Sequence, residues 1–150
     1  MELWRVSNYD ELAGLGGLYG AGRWHSRGRP IIYCGENPAG ALLEVLVHAE
    51  VDPEDLPGHY RLFKIQCPGH LPVPSPLPDT LPAGWREEVA ITRAAGDAWL
   101  QARSSCLLRV PSAIVPASWN VLINPAHADS RHLRIVERYQ AAFDPRLFRF

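Results

Sequence analysis

The chain alternates between short apolar runs and segments that cannot be buried. Leu3–Val6 is the first run, and reads as a strand. Leu12–Gly22 (LAGLGGLYGAG) is a glycine-rich loop. Pro30–Cys34 (PIIYC) carries β-branched and aromatic residues, the signature of a buried strand. Asn37-Pro38 supplies a helix N-cap followed by proline at the first helical position, predicting a helix to about His48 or Glu50. His59–Cys67 alternates apolar and polar residues, as a half-exposed strand does. Residues 68–82 contain six prolines and predict a surface loop, with a lid or partner-binding loop as the alternative. Thr92 is read as the cap of a helix that places Ala95, Ala98, Trp99 and Ala102 inward. Gly96 inside it costs about 1 kcal/mol against alanine, which implies a close neighbour. Three further strands follow: one in LLRVPSAIVP with an irregularity at Pro111, one over Val121–Asn124 and one over Leu133–Tyr139. Strands and helices mix without a βαβ rhythm, so the class expected is α+β in a single domain over residues 1–150.

On a helical period, Ala41, Leu42, Val45, Leu46 and Ala49 share one face, while Leu43 and Val47 cover much of the other. A helix so apolar is expected to be buried on most sides. Glu44 and His48 break the pattern, one turn apart on one stripe. A desolvated carboxylate without a partner costs roughly several kcal/mol. Glu44 therefore either has a cationic or hydrogen-bonding partner, of which a buried arginine is the plainest, or lines a polar cleft.

Arg23 follows the glycine loop, and suits either a phosphate or an aromatic stack. GLGGLY approaches a dinucleotide fingerprint, but Tyr19 stands in the place of its last glycine and no helix is expected there. Tyr33 is either core or an aromatic platform for a flat ring. Ser112 lacks the surroundings of a hydrolase nucleophile. Asn124 before Pro125 forms a turn or a ligand contact. Asp144 and Arg146 are expected to lock the C-terminal segment.

Composition narrows these choices. With 47% apolar and 21% charged residues the chain reads as globular, and a net charge of −1 argues against general nucleic-acid binding. Lys64 is the single lysine, so the cations are arginines, which reflects codon usage or anion recognition. Cys34, Cys67 and Cys106 are odd in number and form no CxxC, which suggests reduced thiols in a cytoplasmic protein. The six histidines show no HExxH spacing, and no metal site is expected. No secretion signal and no apolar run of membrane-spanning length is visible, so no membrane association is expected.

The words LWRV, GRW, PIIYC, ALLEVLVH, GDAWL, VPSAIVP, NVLINP and FDPRL together resemble the RES domain family over nearly the whole chain. The arginine, glutamate and serine of the family's name match Arg23, Glu44 and Ser112. Two departures are visible: Ala21, where glycine is usual, and His25, where asparagine is usual. The resemblance implies a fold similar to ADP-ribosyltransferases, with mixed β-sheets around a cleft. It implies a toxin of a bacterial type II toxin–antitoxin pair whose partner is an Xre-family antitoxin, and it allows a homodimer within that complex. The activity implied is cleavage of NAD⁺ at the nicotinamide–ribose bond, by water or phosphate, with NAD⁺ as substrate and no cofactor. Of the catalytic residues so implied, Glu44 would stabilise the ribosyl charge, Arg23 would hold a phosphate and offset the charge of Glu44, and Tyr33 would pack on the nicotinamide or its ribose, while Ser112 and Asn124 would bind substrate. Two other readings stay open: an ADP-ribosyltransferase acting on a macromolecule, and a non-catalytic binding domain.

Overall fold

The computed structural model describes residues 1–48, 58–75 and 77–149, apart from the side chains at 77 and 78. The elements run β1 (Glu2–Val6), α1 (Gly16–Tyr19), β2 (Ile32–Gly35), α2 (Pro38–His48), β3 (His59–Gln66), α3 (Leu77–Thr80), α4 (Val89–Ala102), β4 (Leu107–Pro111), β5 (Trp119–Ile123) and β6 (Arg134–Ala142). Short 3-10 turns occupy Ala128–His132 and Pro145–Phe148. The expected α+β class is observed. The strands form one six-stranded sheet, ordered β4-β5-β2-β1-β3-β6 and antiparallel at every pairing.

Strand alternation feeds two cores. Ile32, Cys34, Leu107, Val121 and Ile123 join Leu3 and Ile65 in one. Leu108, Val110 and Leu122 join Trp24, Trp85 and Trp99 in the other, with Tyr33 packed against it. Successive residues of a strand point to opposite faces, so β2, β4 and β5 supply both cores at once. All three cysteines are buried free thiols.

Several expectations need correction. Among the described residues of α2 only Ala41 is buried; Leu43 and Val47 are exposed, because the helix packs chiefly against β1 and β2 through one side. Ala49 lies outside the described residues. A short helix, α1, does open within the glycine loop. The proline-rich stretch contains the single turn α3, where Pro78 at the second position needs no N–H partner, and its Leu71 is buried in the first core. Helix α4 begins at Val89, so Thr92 is internal rather than a cap. Its buried residues are Thr92, Gly96, Trp99 and Leu100; Ala98 and Ala102 are exposed. The face is set by what packs on it. A carbonyl sits over Gly96, and Thr92 Oγ1 donates to the Arg23 carbonyl (2.5 Å) and to that of Val89 (3.1 Å).

The start of α2 forms as the sequence predicts. Asn37 Oδ1 accepts from Gly40 N–H (2.8 Å) and Pro38 begins the helix. Gly35 then matters sterically: a Cβ there would lie 2.7 Å from the Ala41 nitrogen. Its absence lets α2 settle against the end of β2, beside β5, where Gly35 pairs with Asn120. Asp144 accepts from the Arg146 backbone N–H (2.9 Å) and pairs with its guanidinium (2.7 Å), capping the last 3-10 turn.

Candidate active site

A cleft of about 670 Å³ opens between the glycine loop, β1, β2 and α2. Glu44 is on its wall, one-fifth exposed. Its Oε1 accepts from Ser112 Oγ (2.7 Å) and Asn120 Nδ2 (2.8 Å), and its Oε2 faces His48 Nε2 at 3.3 Å. The partner is thus not a buried arginine. Burial by itself pushes the Glu44 carboxyl up, but the hydrogen bonds from His48, Asn120 and Ser112 outweigh it and hold the group below the ordinary carboxylate value. Glu44 is an anion at neutral pH, fixed in orientation by three donors.

Ser112 has a defined proton. Its oxygen accepts from Ile114 N–H (3.1 Å) and Val115 N–H (3.2 Å), so its own hydrogen points to Glu44. It is 3% exposed and reaches the site through that carboxylate, not through the cleft wall. Asn120, beside Gly35 on β5, does line the cleft, and sequence reasoning misses it. A polar residue opening the apolar run VLI is the available signal. Asn124 is elsewhere: 1% exposed, it donates to the Leu100 carbonyl (3.0 Å), accepts from Ala126 N–H (3.1 Å) and does not line the cleft.

Replacing Asn120 with alanine removes one of the two donors that fix Oε1. A lost hydrogen bond to a charged group costs about 1.5–3 kcal/mol, so a reaction that depends on the Glu44 carboxylate is expected to slow by at least about tenfold. It also moves the acid limb of the pH profile upward, because Glu44 loses a bond that favours its ionised form. Substrate turnover against pH for N120A and the parent checks both.

Among the described residues, the other charged side chains that line the cleft are positive. Arg23, Arg93 and Arg5 all line it. Arg23 Nη1 donates to the Arg86 carbonyl (3.0 Å), while its buried Nε has no partner. Arg93 Nε donates to the Gly22 carbonyl (2.8 Å). Arg5 is 6% exposed and donates to the Glu11 carbonyl (2.7 Å). Sequence reasoning passes over Arg5 and Arg93, although an arginine inside LWRV is as anomalous as Glu44 inside ALLEVLV. Tyr33 also lines the cleft, and its hydroxyl is engaged by Trp24 N–H (3.0 Å) and His25 Nδ1 (2.7 Å). Among the described residues, no group of three or more His, Cys, Asp or Glu is placed to hold a metal.

Three cations around one oriented carboxylate suit an anionic ligand with one electron-poor centre. The sequence model of the RES domain matches residues 2–144. The chain belongs to the RES domain family. Toxin Res of Pseudomonas putida is 46% identical over 149 residues, covering 99% of this chain and 100% of that protein. A protein of a Sphingobium species named Prs ADP-ribosylating toxin is 35% identical, covering 97% of this chain and 91% of its own length. Among solved structures, the Mycobacterium tuberculosis MbcT–MbcA toxin–antitoxin complex contains a chain that matches with a TM-score of 0.68 at 18% identity, covering 94% of this chain and 84% of that one. This last likeness concerns the fold. Within this RES domain, the arginine, glutamate and serine expected from the sequence fall in one region, with Ser112 bonded to Glu44 and Arg23 on the same cleft.

Proposed function

We propose that this RES domain is the toxin of a toxin–antitoxin pair and that it cleaves NAD⁺ at the nicotinamide–ribose bond. The observation that carries the reading is the charge pattern of the cleft: an ionised Glu44 held by three donors, facing a space whose other charges are Arg5, Arg23 and Arg93. NAD⁺ has the complementary pattern, a diphosphate and a single cationic ring. The C1′–N bond breaks with its electron pair going to nicotinamide, which leaves neutral, and the ribosyl carbon becomes oxocarbenium-like. Glu44 stabilises that developing charge more than it stabilises the ground state. The arginines hold the diphosphate. The acceptor oxygen, from water or inorganic phosphate, bonds to C1′ and releases its proton to solvent. The products are nicotinamide and ADP-ribose or its 1-phosphate.

The test is incubation of purified, partner-free protein with NAD⁺, with and without inorganic phosphate, following nicotinamide and the ribosyl product. Release that scales with phosphate identifies phosphorolysis; release without it identifies hydrolysis. No release from folded protein overturns the reading.

A second reading is transfer of ADP-ribose to a protein, favoured by the relative named Prs ADP-ribosylating toxin. Labelled NAD⁺ in lysate distinguishes the two: a discrete labelled band means transfer, and small products alone mean hydrolysis or phosphorolysis. For either chemistry we assign a cytoplasmic site of action and an antitoxin of the Xre family as partner. The partner reading is supported by the match to a chain of the MbcT–MbcA toxin–antitoxin complex. Among the described residues no helix is long and apolar enough to cross a membrane.

A further inference from the structure

His25 is a histidine that the proposed chemistry does not use, yet it is 3% exposed and both its ring nitrogens are engaged. Nε2 lies 2.8 Å from the Gly20 carbonyl, which can only accept, so the ring proton is on Nε2. Nδ1 is then an acceptor. It lies 2.7 Å from Tyr33 Oη, which donates to it, while Gly22 N–H, 3.2 Å away, shares its hydrogen between Nδ1 and the His25 carbonyl (3.1 Å). Tyr33 Oη in turn accepts from Trp24 N–H at 3.0 Å. Every hydrogen is thereby placed: Trp24 N–H to Tyr33, Tyr33 O–H to His25, His25 N–H to Gly20. The two rings are tilted by 53° with centroids 5.6 Å apart. There is no spare room at the junction, since a Cβ on Gly22 would overlap Tyr33 Oη and lie 2.9 Å from His25 Nδ1.

We propose that His25 is a positioning residue that clamps the Gly20–Arg23 loop to Tyr33, so that Arg23 is held along the cleft and Tyr33 offers substrate its ring and not its hydroxyl. The loop is also tied by Arg93 on the Gly22 carbonyl, Thr92 on the Arg23 carbonyl and the Gly22 N–H on the His25 carbonyl, and the clamp adds its tie to β2 through Tyr33. A neutral imidazole fits this arrangement, because the Gly22 N–H points at Nδ1. Burial pushes His25 below the ordinary histidine value, and Arg93 on α4 adds to this, against the Gly20 and Gly17 carbonyls and Asp97 of α4. Burial likewise pushes the Tyr33 phenol up, keeping its donor proton in place.

The activity readout rests on the NAD⁺ reading; the other two measurements do not. In a double-mutant cycle, H25A and Y33F each raise KM for NAD⁺ about tenfold while kcat moves little, because each removes the same chain of bonds. The double variant is then about tenfold impaired, not about a hundredfold, since residues acting as one unit do not add. H25N, which keeps one donor and one acceptor on a shorter side chain, recovers most of the loss. Additive effects, a defect confined to kcat, or an indifferent H25A overturn the clamp. So does a nitrogen-15 NMR spectrum, with His25 identified by its absence in H25N, that puts the proton on Nδ1 or on both nitrogens at neutral pH. Should the unaltered protein leave NAD⁺ intact, the NAD⁺ reading fails. The tautomer and the same cycle read in denaturant midpoints then still decide the clamp.

Discussion

Glu44→Gln is expected to reduce nicotinamide release about a thousandfold while leaving the fold intact. Gln is nearly isosteric, and its amide oxygen can still accept from Ser112 Oγ and Asn120 Nδ2, which approach at 2.7 and 2.8 Å. What disappears is the negative charge that faces the electron-poor ribosyl carbon. Loss of one preorganised electrostatic contact in a water-poor site costs about 10²–10³-fold in kcat. The loss falls on kcat, with KM for NAD⁺ changed little, because the charge acts in the transition state. Single-turnover nicotinamide release, with circular dichroism to verify folding, measures both. An E44Q variant that retains more than a tenth of the parent rate removes Glu44 from the reaction.

The same carboxylate sets a pH dependence. Its native value lies below that of the unfolded chain, because the three donors favour the ionised form more than burial disfavours it. The stability it contributes is therefore present above the ordinary carboxylate value. It is lost as pH falls through the lower native value. Activity should follow the same limb, since the protonated acid cannot stabilise the oxocarbenium charge. E44Q should flatten the acid side of the denaturation profile, which urea midpoints between neutral and acid pH will show.

Glu44 is legible in the sequence because a carboxylate inside an apolar helix conflicts with its surroundings. Arg23 is legible because it ends a glycine loop beside Trp24, which is indeed buried. The α+β class and the Asn37-Pro38 helix start follow from local chemistry that tertiary structure does not overrule. Asn120 is hidden because its role depends on pairing with Gly35 across β2 and β5, a register no local pattern encodes. Asn124, next to a proline, looks equally plausible and proves to be occupied by backbone. The inward face of α4 defeats a reading that counts alanines as core residues. Its packing surface needs a hydroxyl at Thr92 and no side chain at all at Gly96. The exposed face of α2 departs from expectation for a related reason: apolar periodicity reports what a helix can bury, not how many neighbours surround it.

The conflict at Gly96 leads to the second large expectation, for Gly96→Ala. In an exposed helix this change gains about 1 kcal/mol of propensity. Here an added Cβ would overlap the Trp24 carbonyl oxygen and lie 2.7 Å from its carbon, both backbone atoms that cannot rotate away. Segment 22–26 would have to lift from α4. That movement stretches the Ser26–Asp97 pair (2.9 and 2.6 Å), the Thr92 bond to the Arg23 carbonyl (2.5 Å) and the Arg93 bond to Gly22 (2.8 Å). Overpacking alone costs about 1–3 kcal/mol, and each weakened hydrogen bond adds about 1 kcal/mol. The net expectation is a loss on the order of 3 kcal/mol or more, read as a lower urea midpoint. Activity should fall further than stability explains, because the lifted segment carries Arg23. Alanine to glycine at the exposed Ala98 is the control, and should cost only the propensity term of about 1 kcal/mol. A more stable G96A would mean that segment 22–26 does not sit against α4 at Gly96. The clamp at His25 and the placement of Arg23 in the cleft would then fall with it.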